Sequence, residues 1–195
     1  MTGVPKSVRE EMIEAAWLLI AERGLEGMST REVLARTGAP RGSVYHHFPR
    51  GRTELIELAI DHSRQWMQEQ IGAIDAKDPD DVVAGYLGIW QRVVEGTGFR
   101  AGCAVTGAVT GGHEPSILER AKEAFDATSD ALAALFRKAG LGPDEAARRA
   151  TLLMYAAEGA VILARAQRSI EPLVFTAEQL STRPANERAG PADSR

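Results

Sequence analysis

The chain has 195 residues, 44% hydrophobic and 26% charged, enough for a core of one domain or of one plus a small head. No uncharged run approaches the roughly 18 residues that cross a bilayer, and the opening residues lack the apolar stretch of a secretory leader, so the reading is a cytoplasmic protein with no membrane partner. The one cysteine, Cys103, cannot make an internal disulfide, no Cys/His cluster has metal-site spacing, and the net charge of −4 argues against a nucleic-acid binder unless the charge is unevenly spread.

In chain order, Met1 to Pro5 is a loose lead-in. A helix over Lys6–Arg23 follows, with Met12, Ile13, Ala16, Trp17 and Ile20 on one face and Gly24 as its stop. Ser29 or Thr30 can cap a second helix whose inward face is Val33 and Leu34. Gly38 suits its C-terminus, and Pro40 fits the first turn of a third, short helix that exposes Arg41, Ser43, Tyr45, His46 and His47. Two short helices about a tight turn make a helix-turn-helix, which sets its second helix in the major groove of DNA. From Ser29 to Arg52 there are five arginines and one acid, Glu32, a local charge of +4 that leaves −8 on the remainder. Screening over about 8 Å lets such a patch meet phosphates despite the acidic body, although a merely solvated Arg-rich face reads the same way.

Pro49-Arg50-Gly51 breaks the chain, and Thr53 can cap a long helix to about Ile74 with Leu55, Ala59, His62 and Trp66 on one stripe. Asp78-Pro79-Asp80 starts a helix ending near Gly96. Ala101–Gly112 is a short, glycine-broken apolar helix. Pro115 and Pro143 open two further helices, closed near Gly140 and Arg168, and Ile170–Leu180 is a last helix interrupted early by Pro172. From Ser181 the composition is that of a disordered tail. The expectation is an all-α fold of about nine helices: a helix-turn-helix head over 1–52, a regulatory and dimerisation domain over 53–180, and the tail over 181–195.

An enzyme is disfavoured. The Gly102–Gly112 stretch lacks the Gly-Lys-Ser/Thr of a phosphate loop, no G-x-S-x-G occurs, and His113-Glu114-Pro115 lacks the second histidine of a zinc protease helix. His46 and His47 are adjacent on a helix and do not face one another, so they make a poor metal pair. No catalytic residue, metal or cofactor is assigned.

The segments Met12-Ile13-Glu14-Ala15-Ala16, Arg23-Gly24, Ser29-Thr30, Gly38, Gly42-Ser43-Val44-Tyr45-His46-His47-Phe48 and Leu55-Ile56 resemble the tetracycline-repressor (TetR) family of bacterial transcription regulators. Residues 38–49, and less specifically Gly102-Cys103 and Glu158–Arg165, resemble its LmrA/YxaF-type subgroup. The resemblance implies a homodimeric regulator, most often a repressor, that binds a palindromic operator and is released by a small-molecule effector. A constitutive DNA-binding or architectural protein without an effector is the alternative. Two departures from the family pattern stand out: Pro40 replaces a common Ser or Thr, and Arg52 a common Lys.

Within that frame, Tyr45, His47, Thr30, Ser43 and Arg52 are candidates for phosphate contact and Arg41 for guanine, with Gly42 allowing close approach and Arg31 and His46 completing the face. For Tyr45 the alternative is a core position, though Phe48 looks the better anchor. An effector cavity could be lined by His62, Trp66, Trp90, Phe99, Cys103, His113, Phe125, Met154, Tyr155 and Glu158, core packing being the alternative for each. Glu158 could instead pair with Arg120 or Arg165, and Cys103 could sense oxidants or be inert packing. The small-residue face of Ala157, Val161 and Ala164, with Leu173 and Phe175, is the expected dimer interface; packing within one chain is the alternative.

Overall fold

The computed structural model describes residues 6–111 and 114–182. The lead-in before Lys6, His113 and the tail beyond Thr182 lie outside the described residues. These residues form nine helices and no strand: α1 (Val8–Gly27), α2 (Thr30–Thr37), α3 (Ser43–His47), α4 (Arg52–Gly72), α5 (Pro79–Gly96), α6 (Ala104–Gly111), α7 (Pro115–Lys138), α8 (Pro143–Gln167) and α9 (Glu171–Leu180). The all-α reading is borne out, and no described helix is long and apolar enough to cross a membrane.

Local chemistry sets most of these ends. Ser7 and Glu10 close a capping box on α1, in which the Ser7 hydroxyl accepts from Glu10 N–H and the Glu10 carboxylate accepts from Ser7 N–H. Asp78 caps α5 by accepting from the N–H groups of Asp80 and Asp81, and Pro79 fills the position where a missing N–H costs nothing. Three boundaries differ from expectation. Gly24 (φ 68°, ψ −173°) breaks the helix as expected, but one more turn follows to Gly27. Pro40 precedes α3 in a turn closed by Ser43 N–H to Pro40 O (2.9 Å) and is not in its first turn. Pro172 opens α9 without interrupting it, because proline is tolerated where intrahelical donors are still unused.

The contacts divide the chain into two compact units. The first comprises Met1–Glu69 and Arg100–Thr128. Its core joins Met12, Ala16, Leu19 and Ile20 of α1 to Val33, Val44, Phe48, Leu55 and Ile56, and to Ala104, Val105 and Ala108 of α6. Here α1 and α6 meet backbone to backbone. A Cβ added at Gly107 would lie 2.8 Å from Ile20 O, closer than real side chains come, and Gly102 N–H donates to Ala21 O (3.0 Å). Only glycine permits that approach.

The second unit comprises Gln70–Phe99 and Ser129–Arg195. Its core is Val82, Tyr86, Ile89 and Trp90 of α5, Leu132 and Phe136 of α7, and Ala150, Leu153, Ala157, Val161 and Ala164 of α8. Buried Asp80 accepts hydrogen bonds from Ser181 Oγ (2.7 Å), Thr182 N–H (2.9 Å) and Thr182 Oγ1 (3.0 Å). The start of the expected tail is therefore held at the first turn of α5.

Candidate nucleic-acid interface

The helix-turn-helix is built from short-range signals. Ser29 Oγ accepts from Glu32 N–H (3.1 Å) to start α2, and Gly38 takes the left-handed conformation (φ 69°) that ends it. Val33, Val44 and Phe48 are fully buried and fix α2 and α3 on α1. The opposite side of α3 and the turn leading into it are open: Arg41, Gly42, Tyr45 and His46 are exposed, with Ser43 and His47 half-buried. Tyr45 is 73% exposed, which rejects its core reading, and Phe48 is the anchor. Contrary to expectation, the adjacent His46 and His47 rings meet edge to face at 4.9 Å, and Arg9 of α1 holds its guanidinium 5.4 Å from the Phe48 ring centre. Thr30 and Arg31 open α2, Thr30 half-buried and Arg31 exposed.

The five arginines meet different fates. Arg36 donates to Glu22 (2.6 Å) and Arg50 to Glu57 (2.6 and 3.3 Å). Arg52 is exposed but reaches back to α1: its Nε donates to Met28 O (3.1 Å) and its Nη2 to Leu25 O (2.6 Å), so it caps the carbonyl end of that helix. Two of its donors thus serve α1, which gives Arg52 a structural role beside the phosphate contact expected of it; Nη1 donates to nothing among the described residues. Arg31 and Arg41 make no hydrogen bond or ion pair among the described residues and remain free cations. The local charge of +4 overstated the patch, because Glu22 and Glu57 lie outside the stretch counted.

Behind α3, three successive turns of α4 are stitched to α7 and to the residue just before it. Thr53 Oγ1 donates to Glu114 (3.1 Å), Ser116 hydrogen-bonds Glu57, and Arg120 donates to both carboxylate oxygens of Asp61 (3.2 and 2.9 Å). The hydrogen bonds from Arg50 hold the Glu57 carboxyl below its usual range, against the opposing effect of burial. None of this network was legible in the sequence.

Comparison with known proteins agrees with this geometry. Residues 12–59 match the family described as bacterial regulatory proteins, tetR family, and residues 79–179 match the C-terminal domain described as transcriptional regulator LmrA/YxaF-like. The chain belongs to the TetR family of transcriptional regulators. An uncharacterised HTH-type transcriptional regulator of Mycobacterium tuberculosis is 36% identical over 179 residues, covering 88% of this chain and 91% of that protein. The HTH-type transcriptional regulator LmrA of Bacillus subtilis is 24% identical over 85% of this chain and 90% of its own length. In fold, a TetR-family regulator from Agrobacterium tumefaciens aligns with a TM-score of 0.77 at 21% identity, over 91% of this chain and 97% of that one. A TetR-family chain is a regulator and not an enzyme, as the missing catalytic motifs implied.

The remaining TetR-type candidates divide between the units. His62 and Trp66 belong to the first, where both rings lie beside Trp17 at 4.9 and 5.6 Å. Phe125 packs on the same core, and half-buried Cys103 accepts the Thr106 N–H at Sγ (3.5 Å) at the start of α6. Trp90, Phe99, Met154, Tyr155 and Glu158 belong to the second. Trp90 is 3% exposed and its indole N–H has no acceptor among the described residues. Phe99 sits in the left-handed region (φ 62°), an uncommon conformation for an aromatic residue. Arg120, one suggested partner of Glu158, is taken by Asp61. Two surface grooves of the second unit, about 420 Å³ between α5 and α9 and about 600 Å³ where α4 runs into α5, are lined by none of these candidates.

The dimer candidates need correction. Ala157, Val161, Ala164 and Leu173 are at most 2% exposed within a single chain, so they are core. The face of α8 open to a partner is the other one: Leu152, Tyr155, Ile162 and Leu163 are all more than half exposed, as is Phe175 of α9. Gly159 lies between them on α8, and a Cβ there would meet nothing within 4 Å.

Proposed function

We propose that this TetR-family regulator is a homodimeric repressor that holds a palindromic operator with its two α3 helices and releases it when a small molecule binds. The observation carrying the DNA half is the open face of α3 and the turn before it, where Tyr45, His46 and Arg41 face solvent while Val44 and Phe48 pin the helix from beneath. Arg41 reads guanine; Tyr45, Ser43, His47, Thr30 and Arg31 contact phosphate and sugar, and Gly42 lets the backbone close on the groove. The apolar residues Leu152, Tyr155, Ile162 and Leu163 of α8 and Phe175 of α9, each more than half exposed, support a symmetric α8–α9 contact that would cover them. Twofold symmetry then sets the α3 helices about 34–36 Å apart, one turn of B-DNA.

The effector half is supported by Trp90, a buried donor that a ligand carbonyl or carboxylate would satisfy. An effector that changes the separation of the two α3 helices needs a coupling of about 1–3 kcal/mol to weaken operator binding some 5- to 150-fold. Selection from a random pool of duplexes tests the reading. An inverted repeat with half-sites one turn apart is the expected product; enrichment of single, unpaired sites would sink the dimeric operator. If no compound loosens binding to the selected site, the protein is a constitutive binder.

A further inference from the structure

Arg50 follows α3 in the turn Pro49-Arg50-Gly51, and nothing above assigns it to DNA. It is built as a presented cation. Its side chain is 61% exposed, yet both terminal nitrogens are fastened end-on to Glu57, Nη1 to Oε1 at 3.3 Å and Nη2 to Oε2 at 2.6 Å. An end-on fork leaves the Nε–H edge and the outer hydrogens unused, and Nε donates to nothing among the described residues. The carboxylate beneath is a firm base: Glu57 is 5% exposed, sits inside α4 and is held by Ser116 of α7. The backbone of the turn is fixed as well, with Arg50 N–H donating to Glu54 (3.0 Å) and Gly51 N–H to Phe48 O (2.8 Å). The turn adjoins the exposed face of α3, because a Cβ at Gly51 would lie 3.7 Å from Cε1 of Tyr45.

We propose that Arg50 is a DNA-phosphate contact flanking Tyr45 and that Glu57 is the residue that positions it. The inference rests on the operator-binding reading above. It adds a phosphate contact two residues before Arg52, whose Nε and Nη2 are engaged at the end of α1. A guanidinium already immobilised by a buried carboxylate loses little side-chain freedom on meeting a phosphate, and that preorganisation outweighs the negative charge brought near the backbone.

The test is a double-mutant cycle on binding to a 30-base-pair duplex of random sequence, which suffices because phosphate contacts are sequence-independent. Arg50→Ala should weaken binding roughly tenfold and reduce the slope of log K against log salt by about 0.9 per head. Glu57→Gln leaves Arg50 charged, so the slope should hold while affinity falls about three- to tenfold for want of the anchor. In the Arg50→Ala background, Glu57→Gln should change nothing. Circular dichroism melts identify any unfolded variant; Arg50→Lys then replaces Arg50→Ala and should keep the slope but lose affinity. Tighter binding by Glu57→Gln, an equal effect of Glu57→Gln with and without Arg50, or an unchanged slope in Arg50→Ala would each overturn the proposal. A wild-type chain that ignores duplex DNA at low salt would instead bring down the operator reading itself.

Discussion

Replacing Arg52 with alanine should cost the first unit stability while leaving its charge-dependent grip on DNA intact. The guanidinium supplies the charged donors for Leu25 O and Met28 O. Without it, Leu25 O keeps the Met28 N–H at 3.2 Å, but Met28 O is left to water. A hydrogen bond from a charged group contributes about 1.5–3 kcal/mol net, and partial replacement by solvent brings the expected loss to about 2 kcal/mol. For a chain of this size that corresponds to a fall in Tm of about 4–8 °C. Arg52→Lys, with a point charge in place of a fork, should recover about half. Thermal melts give the stability, and titrations of a random duplex across salt concentrations give the slope. A variant that melts with the wild type but loses about one unit of slope per head would refute the capping role and make Arg52 a phosphate ligand.

Gly159→Ala should stabilise a lone α8 by about 1 kcal/mol, whereas Gly159→Leu should raise the dimer dissociation constant at least about tenfold in sedimentation if a second copy crosses there. A dimer indifferent to leucine would place the contact elsewhere. Trp90→Phe removes an unsatisfied donor together with part of a ring, so unfolding in urea should shift by no more than about 1 kcal/mol; a loss above about 3 kcal/mol would mean that the N–H has an acceptor after all. Burial holds the His62 imidazole below its ordinary pKa, and the opposing pull of Glu14 and Glu69 does not reverse this. The unfolded chain therefore takes up that proton first, and stability that is complete above about pH 6.5 drains away as the pH falls toward the folded value. His62→Phe should narrow the gap between melts at pH 7.5 and pH 5; an unchanged gap would assign the acid sensitivity to other groups.

The head was legible because its signals are local: the cap at Ser29, the left-handed turn at Gly38, and Val44 and Phe48 spaced to face one side. The arginines were not, since their partners Glu22, Glu57, Leu25 O and Met28 O belong to other helices, and charge counting over a stretch of sequence cannot see a neighbour in space. On α8 both faces carry apolar residues, so periodicity could not say which is inside. The alanines pack inward where α5 and α9 come close, and the larger Leu152, Ile162 and Leu163 are left outside. Asp80 reads as a helix-starting acid, and only the fold reveals that it grips Ser181 and Thr182, a hundred residues away.

The seam between α1 and α6 has a consequence for how this protein can vary. Where most helix pairs are cushioned by side chains that rotate aside, Ile20 O faces the bare Cα of Gly107, and there is no soft layer to absorb an added methyl. Any bulk gained at position 107 must be taken up by moving a whole helix, and α1 is the floor on which Val33, Val44 and Phe48 rest. A substitution remote from the exposed residues of α3 can thus alter their alignment, and a survey of variants for lost DNA binding would do well to begin at that glycine.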